Sequence, residues 1–503
     1  MTGMSSEIEL KFRIPAARLA AVRRAVATRS AVLEPLAAVY FDTPGEHLAR
    51  ARVALRLRRE ASGWVQTLKA EGASPMQRLE HNVAVPGTSR PALDVFKHDG
   101  SPAGKVLRAV LVDAQDLPLV ERYATEVQRT RRVLRHGAAR IELALDEGQI
   151  SAGGRTLPVC ELELELLSGS SQALLDVAAR WADRFGLVLD VRSKSERGHL
   201  LAQGLTVSPP AHARPLKLPR LASTAQALAA MRANPLAQVL ANASQLADPD
   251  SGPVEPEHLH QLRVGLRRLR SVMSVFEPPP PPFDASLAPR LAALFGKLGA
   301  ARDLDAMVEW LSPALRAAGA PLFEAAPSVP DAPPLDIAAL LYAPATQQLW
   351  LAMLGACQPV EAATDAPPAS PPEPLQAVLG RPLRKLYRQV RRDAARFTEL
   401  DDASRHRLRR RIKRLRYATE LSAALWPAKA MKRLLRGLAQ AQGPLGEIND
   451  TVVALAHCRA LAEQDPSAWF AVGWLSARRQ TLTPVCAAAL ARLAKRAGCW
   501  RGR

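Results

Sequence analysis

The 503-residue sequence predicts an α+β chain in two dissimilar parts, an antiparallel β-barrel with a charged interior and flanking helices up to about Gly204, and an all-α duplicated helical bundle beyond about Leu221. Three observations predict it. Segments of the first part alternate charged and apolar residues with the period of a strand, nearly every ordered-looking segment of the second part has helical spacing, and the second part repeats itself. Between the two, Thr206 to Pro219 holds four prolines, which deny both helix and central strand and suit a semi-extended linker. The domain division is therefore 1–204, a linker at 205–220, and 221–500, with the first part expected to fold and act alone.

Strand by strand, Glu7, Glu9 and Lys11 alternate with Ile8, Leu10 and Phe12, so charges and apolar groups take opposite faces. Arg52, Arg56 and Arg58 alternate likewise with Val53, Leu55 and Leu57, and Arg78, Glu80 and Asn82 with Leu79 and Val83. Glu142 and Asp146 flank Leu143 and Leu145, and Glu161, Glu163 and Glu165 alternate with Leu162, Leu164 and Leu166. One such strand is what any sheet with a solvated face shows. Glutamates clustered on some strands and Arg or Lys on others point to a common interior, because adjacent like charges need metal ions or anions to offset their repulsion. The amphipathic segments Ala16 to Thr28 and Ser171 to Phe185 are placed as helices over the apolar exterior.

In the helical half, His260, Arg263, Arg267 and Arg270 lie along one helix face beside an apolar stripe of Leu259, Leu262, Leu266, Leu269 and Met273. The pattern returns as His406, Arg409, Lys413 and Arg416 beside Leu408, Ile412 and Leu415. Each copy is followed by a second shared element, Leu298-Gly-Ala-Ala-Arg-Asp303 and Leu445-Gly-Glu-Ile-Asn-Asp450. From Arg381 to Arg416 there are fifteen Lys or Arg against four Asp or Glu, too lopsided for the ion pairs of an ordinary surface helix. Proline-rich stretches at 278–282, 321–334 and 359–374 read as interhelical loops.

A net charge of +20 and a pI near 10.5 point to an anionic partner without choosing among polyphosphate, nucleotide, nucleic acid and membrane. The basic stripes carry no interleaved aromatics for stacking bases, so no specific nucleic acid is expected. Five scattered cysteines, with no paired spacing, fit a reducing cytoplasm. The start has no secretion-signal pattern and no apolar run is long enough for a membrane helix.

Glu7-Ile-Glu-Leu-Lys11, Tyr40-Phe-Asp-Thr-Pro44, Leu48 to Arg58, Thr67-Leu-Lys69, Arg78-Leu-Glu80, Ala144 to Gly148, Glu161 to Glu165 and Ser193-Lys-Ser-Glu-Arg197 together resemble the CYTH domains, or triphosphate tunnel metalloenzymes, in that family's order. The resemblance implies an eight-stranded antiparallel tunnel that hydrolyses triphosphate to phosphate and pyrophosphate with Mg²⁺ or Mn²⁺. It implies Glu7, Glu9, Glu163 and Glu165 as metal ligands and Lys11, Arg56, Arg58, Lys69, Arg129 and Lys194 around the phosphates, with Glu7, Glu9, Lys11 and Asp146 as the catalytic set. Whether Arg129 or Arg131, and which two of Glu161, Glu163 and Glu165, face the site centre stays open. Thiamine triphosphatase, nucleoside triphosphatase and class IV adenylate cyclase are the alternatives within that family, and a non-catalytic polyphosphate-targeting protein is the alternative outside it. The two histidine-led stripes and the Leu-Gly elements resemble the CHAD domain, a conserved-histidine helical domain. That resemblance implies long-chain polyphosphate binding through His260, Arg263, Arg267, Arg270, His406, Arg409, Lys413 and Arg416, and placement near cytoplasmic polyphosphate granules.

Overall fold

The computed structural model describes residues 5–72, 74–115, 117–218, 222–248, 252, 254–276, 284–320, 335–359, 373–496 and 498–500, with the backbone alone at 5–6 and 300–306. The proline-rich stretches at 278–282 and 321–334, and 360–372 of the third, lie outside the described residues, as do the side chains of Arg302 and Asp303 in the first Leu-Gly element.

Eight strands build the first half: β1 (Ser5–Arg13), β2 (Val32–Asp42), β3 (Ala54–Glu60), β4 (Gly63–Glu71), β5 (Gln77–Val85), β6 (Val120–His136), β7 (Ala139–Ala152) and β8 (Arg155–Ser168). They pair antiparallel in the order β5-β4-β3-β2-β6-β7-β8-β1, and β1 pairs again with β5, which closes the barrel. A two-residue β9 (Val188–Leu189) adds to the far end of β1. The alternation drives this: Phe12, Leu55, Leu143, Leu145, Leu162 and Leu164 are each fully buried on the apolar face. Arg52 is a departure. It precedes β3 with φ 57° and bonds Glu71 at 3.0 Å, so it stands off the strand face expected for it.

Helices cover the barrel: α1 (Leu19–Val26) lies on β6 and β7, α2 (His47–Arg50) and α3 (Pro102–Asp113) flank β3 to β5, and α4 (Ser171–Phe185) lies on β7 and β8. The Ser170 hydroxyl accepts from Ala173 N to start α4, and Gly186, at φ 63°, ends it. The last, α5 (Lys194–Ala202), closes one end of the lumen. There the inward positions turn apolar, and Leu201 packs with Tyr40, Tyr123, Val127, Ile150 and Val159. Gly198 permits the approach, since a Cβ there would stand 2.3 Å from the Tyr123 ring. Gly198→Ala is therefore expected to destabilise by about 1–3 kcal/mol, read as a lowered melting temperature; an unchanged one would mean that α5 is not wedged.

The helical half comprises α6 (Thr224–Leu246), α7 (Pro256–Val275), α8 (Leu287–Ala317), α9 (Ile337–Tyr342), α10 (Pro344–Ala356), α11 (Leu375–Ala395), α12 (Asp402–Leu421), α13 (Ala428–Leu461) and α14 (Ala468–Ala494). Two compact units emerge, and they do not follow the linker. The first joins Met1–His212 to Leu236–Leu262 and Ile337–Cys357; the second is Ala213–Pro235, Arg263–Asp336 and Gln358–Arg503. Residues 205–218 contain no helix or strand, but Ala211 exchanges two 3.0 Å hydrogen bonds with the Asn242 side chain. In the second unit the predicted stripe of Leu408, Ile412 and Leu415 is fully buried, packed with Leu383, Tyr387, Leu438, Leu490 and Trp500.

Candidate active site and anion basin

Cross-strand register lays out the lumen in rungs. Glu9 faces Glu165, which faces Glu142; one rung on, Lys11 faces Glu163; the next joins Arg13, Glu161, Asp146 and Arg129. Glu161, Glu163 and Glu165 thus share the inward face, roughly 7 Å apart along the strand. The open choice among them resolves by depth rather than by side.

Near the first rung, carboxylates crowd. Glu7 accepts from Lys69 at 2.7 Å, Lys69 meets Glu80 at 2.8 Å, and Arg78 stands 4.0 Å from Glu9. Burial, which outweighs the Lys69 ammonium, pushes the Glu7 carboxyl up to about 10, with Glu80 and Glu9 adding to it. Burial also raises Glu165, beside Glu142, Glu80 and Glu9. Carboxylate oxygens of this kind suit a hard divalent cation, which would offset the repulsion among Glu7, Glu9 and Glu80.

Deeper, carboxylates and cations interlock. Lys194 bonds Asp146 at 2.6 Å, Glu163 at 2.8 Å and Glu161. Arg129 grips Asp146 through two bonds of 2.6 and 2.7 Å and reaches Glu163 at 2.5 Å, while Arg197 pairs with Glu161. Against the burial that would raise it, Lys194 and Arg129 hold the Glu163 carboxyl well below its usual range. Asp146, Glu161 and Glu163 each offer an oxygen within 4.8 Å of the others. Arg131 lies farther out, 40% exposed between Glu34 and Glu142, so Arg129 is the one at the centre. Arg56 donates to the Tyr40 hydroxyl at 3.0 Å, Arg58 pairs with Glu60, and Lys11 stands 3.9 Å from Glu161, its buried Nζ without a hydrogen-bond partner among the described residues. In the Tyr-Phe-Asp-Thr segment, Asp42 is structural: its carboxylate accepts from Thr43 N at 2.7 Å and from Leu48 N and Ala49 N at 2.9 Å, which holds α2.

The expected residues divide accordingly. Glu7, Glu9 and Glu165 gather at the first rung, whereas Glu163 sits with Asp146 among the cations. Glu80, Glu142, Glu161, Arg197 and Tyr40 join the site without having been assigned to it. The inward parity of Glu80, Glu142 and Glu161 was readable in the alternation; Tyr40 and Arg197 lay in segments that carry the family resemblance but were not singled out.

In the second unit, the two basic stripes line one basin of about 970 Å³. Arg263, Arg267 and Arg270 come from α7 and His406, Arg409 and Lys413 from α12, with Arg410 and Arg414 beside them. His260, exposed in the first unit, and Arg416, which bonds Glu420 at 2.7 Å and Gln442 at 3.1 Å, are not among its lining residues. The second Leu-Gly element supplies partners: Asn449 Oδ1 lies 2.8 Å from His406 Nδ1 and Asp450 lies 3.6 Å from Arg409. Aromatics are present after all. Phe295 of α8 lies 5.0–5.7 Å from the guanidiniums of Arg263, Arg267 and Arg270, and Trp310 lines the wall.

A CYTH domain model matches residues 5–198 and a CHAD domain model matches residues 222–459. The chain is a CYTH domain followed by a CHAD domain. Over 168 residues it is 30% identical to an inorganic triphosphatase of Haemophilus influenzae, a stretch covering 32% of this chain and 44% of that one, so it spans less than half of that relative. A CHAD domain from the plant Ricinus communis is 27% identical, with 56% of this chain and 96% of that one covered at a TM-score of 0.43. A putative adenylyl cyclase from Hippeastrum, described as having a dominant triphosphatase activity, is 17% identical, with 39% and 96% covered at a TM-score of 0.27. No described helix is long and apolar enough to cross a membrane.

Proposed function

We propose that the CYTH tunnel hydrolyses inorganic triphosphate to phosphate and pyrophosphate with Mg²⁺ or Mn²⁺, and that the CHAD basin binds long-chain polyphosphate. The observation that carries the first half is Lys11. Its buried ammonium faces the Glu161 carboxylate at 3.9 Å but has no hydrogen-bond partner among the described residues, a costly state that a phosphate oxygen would relieve, in a lumen shared with Arg56, Arg129 and Lys194. Burial also lowers its pKa, an effect that a phosphate oxygen would reverse.

On this reading Lys11, Arg56, Arg58, Lys69, Arg129 and Lys194 bind and orient the phosphate chain, the guanidiniums as bidentate forks. Binding exchanges carboxylate partners of Lys194 and Arg129 for phosphate oxygens, so the cations are already in place before substrate arrives. Glu7, Glu9 and Glu165, with Glu80 beside them, would hold the divalent cation, and Glu163 with Asp146 and Glu161 would hold the lysine and arginine that face it. When bound, the cation neutralises charge on the phosphates and lowers the pKa of an attacking water.

The test is phosphate release by the purified full chain from triphosphate, pyrophosphate, long-chain polyphosphate, ATP and thiamine triphosphate, with Mg²⁺, Mn²⁺ or EDTA. Triphosphate is expected to be fastest, with no turnover in EDTA. Preference for ATP, or full activity in EDTA, overturns the assignment.

For the basin, support comes from the clustering itself. Burial first, then Arg267 and Arg409, pushes the Lys413 ammonium down to about 7, with Asp450 opposing and Arg263 adding to it. A polyanion favours the charged form, so binding should take up a proton near neutral pH. Affinity is expected to be flat below about pH 6.5 and to fall by up to about tenfold per unit above 7. Titration calorimetry in buffers of different ionisation enthalpy reads the uptake. Lys413→Arg should remove the pH dependence; a profile that survives it would place the proton elsewhere.

A further inference from the structure

The tunnel lysine Lys194 begins α5, and the residues just before it are held by side chains from the helical part of the first compact unit. Arg192 is 4% exposed and donates to Asp190 at 2.6 Å, to Asp248 at 2.8 Å and to Gln245 at 3.4 Å. Val191 N donates to Ser244 Oγ at 3.2 Å, and Leu189 N to Gln347 Oε1 at 2.8 Å. Asp248 also stands 3.5 Å from Arg13, which donates to the Ala247 carbonyl and lies 4.8 Å from the Tyr342 ring. Asp190 N bonds back to the Lys11 carbonyl at 2.9 Å. Two residues beyond Arg192, Lys194 turns inward to Asp146 and Glu163.

Charges decide what Asp248 does there. Arg192 is bonded by both Asp190 and Asp248, and Asp248 in turn faces Arg13. Without the Asp248 carboxylate, the buried Arg192 guanidinium loses one of the carboxylates bonded to it and Arg13 loses the one it faces, which is unfavourable for the arrangement as it stands. Relief comes most readily by moving 190–193, a stretch without regular structure between β9 and α5, and Lys194 moves with it.

We propose that Asp248 is a positioning residue for the tunnel: through Arg192 it sets Lys194, so that the chain carrying Ser244, Gln245 and Asp248 tunes phosphate binding in the barrel. This rests on the triphosphatase reading above. It also means that residues 1–204 alone lack a part of the site's support, contrary to the independence expected from the linker.

The test measures triphosphate kinetics of the full chain for wild type, Asp248→Asn, Asp248→Glu, Lys194→Met and the Asp248→Asn/Lys194→Met pair, with melting temperatures for each. Asp248→Asn is expected to raise KM by about tenfold with a smaller change in kcat, and Asp248→Glu to recover most of it. In the Lys194→Met background, Asp248→Asn should add little, because its effect passes through the missing ammonium. Equal losses in both backgrounds, or a KM at the wild-type value in Asp248→Asn, overturn the proposal. Should Asp248→Asn fail to fold, Ser244→Ala loosens the same segment more gently, and an unchanged KM there overturns it as well. Wild type inactive on triphosphate would instead overturn the triphosphatase reading.

Discussion

Glu9→Gln and Glu165→Gln are each expected to slow triphosphate turnover by about a hundredfold or more, on the order of 3 kcal/mol of barrier, with little change in melting temperature. The two carboxylates face each other across β1 and β8, and Arg78 stands 4.0 Å from Glu9. Neither is part of the Lys194 and Arg129 lattice, so the amide removes a charge from the proposed cation site and leaves the phosphate-binding groups paired as before. Phosphate release at saturating Mg²⁺, repeated across a Mg²⁺ titration, separates weaker metal binding from slower chemistry. Wild-type rates in both variants would sink the assignment of this rung to the metal.

The second large effect belongs to the basin. Arg267→Glu with Lys413→Glu is expected to weaken long-chain polyphosphate by about a hundredfold or more at low salt, and to flatten the salt dependence by about 0.7–0.9 in log–log slope for each phosphate that is no longer neutralised. Both residues line the same cavity, and Arg267 is one of three guanidiniums held over Phe295. Triphosphate turnover should stay at the wild-type value, since the CYTH lumen contains neither residue. Matched titrations with single-stranded DNA and RNA decide the partner class. Tighter nucleic-acid binding at equal salt would name the wrong ligand, and polyphosphate affinity that survives the double reversal would name the wrong surface.

Much of the site was legible because a strand's period of two and a helix's 3.6 are local facts. Glu7, Glu9 and Lys11 had to share a face, as did Arg263, Arg267 and Arg270, whatever they met. Partnership is a different matter. That Lys194 nests among Asp146, Glu161 and Glu163, or that Arg56 meets Tyr40, depends on which strands become neighbours and in what register, and side-chain hydrogen bonds between residues far apart in the chain leave no trace in spacing. The basin's aromatics were missed for the same reason: Phe295 lies 25 positions from Arg270, on another helix.

By itself, then, the sequence determined the two-part architecture, the polar lumen, the duplicated basic stripes and the charge that calls for an anionic partner, all set by composition and short-range periodicity. Only the tertiary structure sets Lys194 and Arg129 against Glu163, sets Arg131 between Glu34 and Glu142, and leaves His260 off the residues that line the basin. It also decided that Ser244, Gln245 and Asp248 join the barrel's compact unit, where a proline-rich joint had implied independence. The physical reason is burial: a charge removed from water must find its counter-charge wherever the fold brings one, and that choice is made by packing rather than by position along the chain.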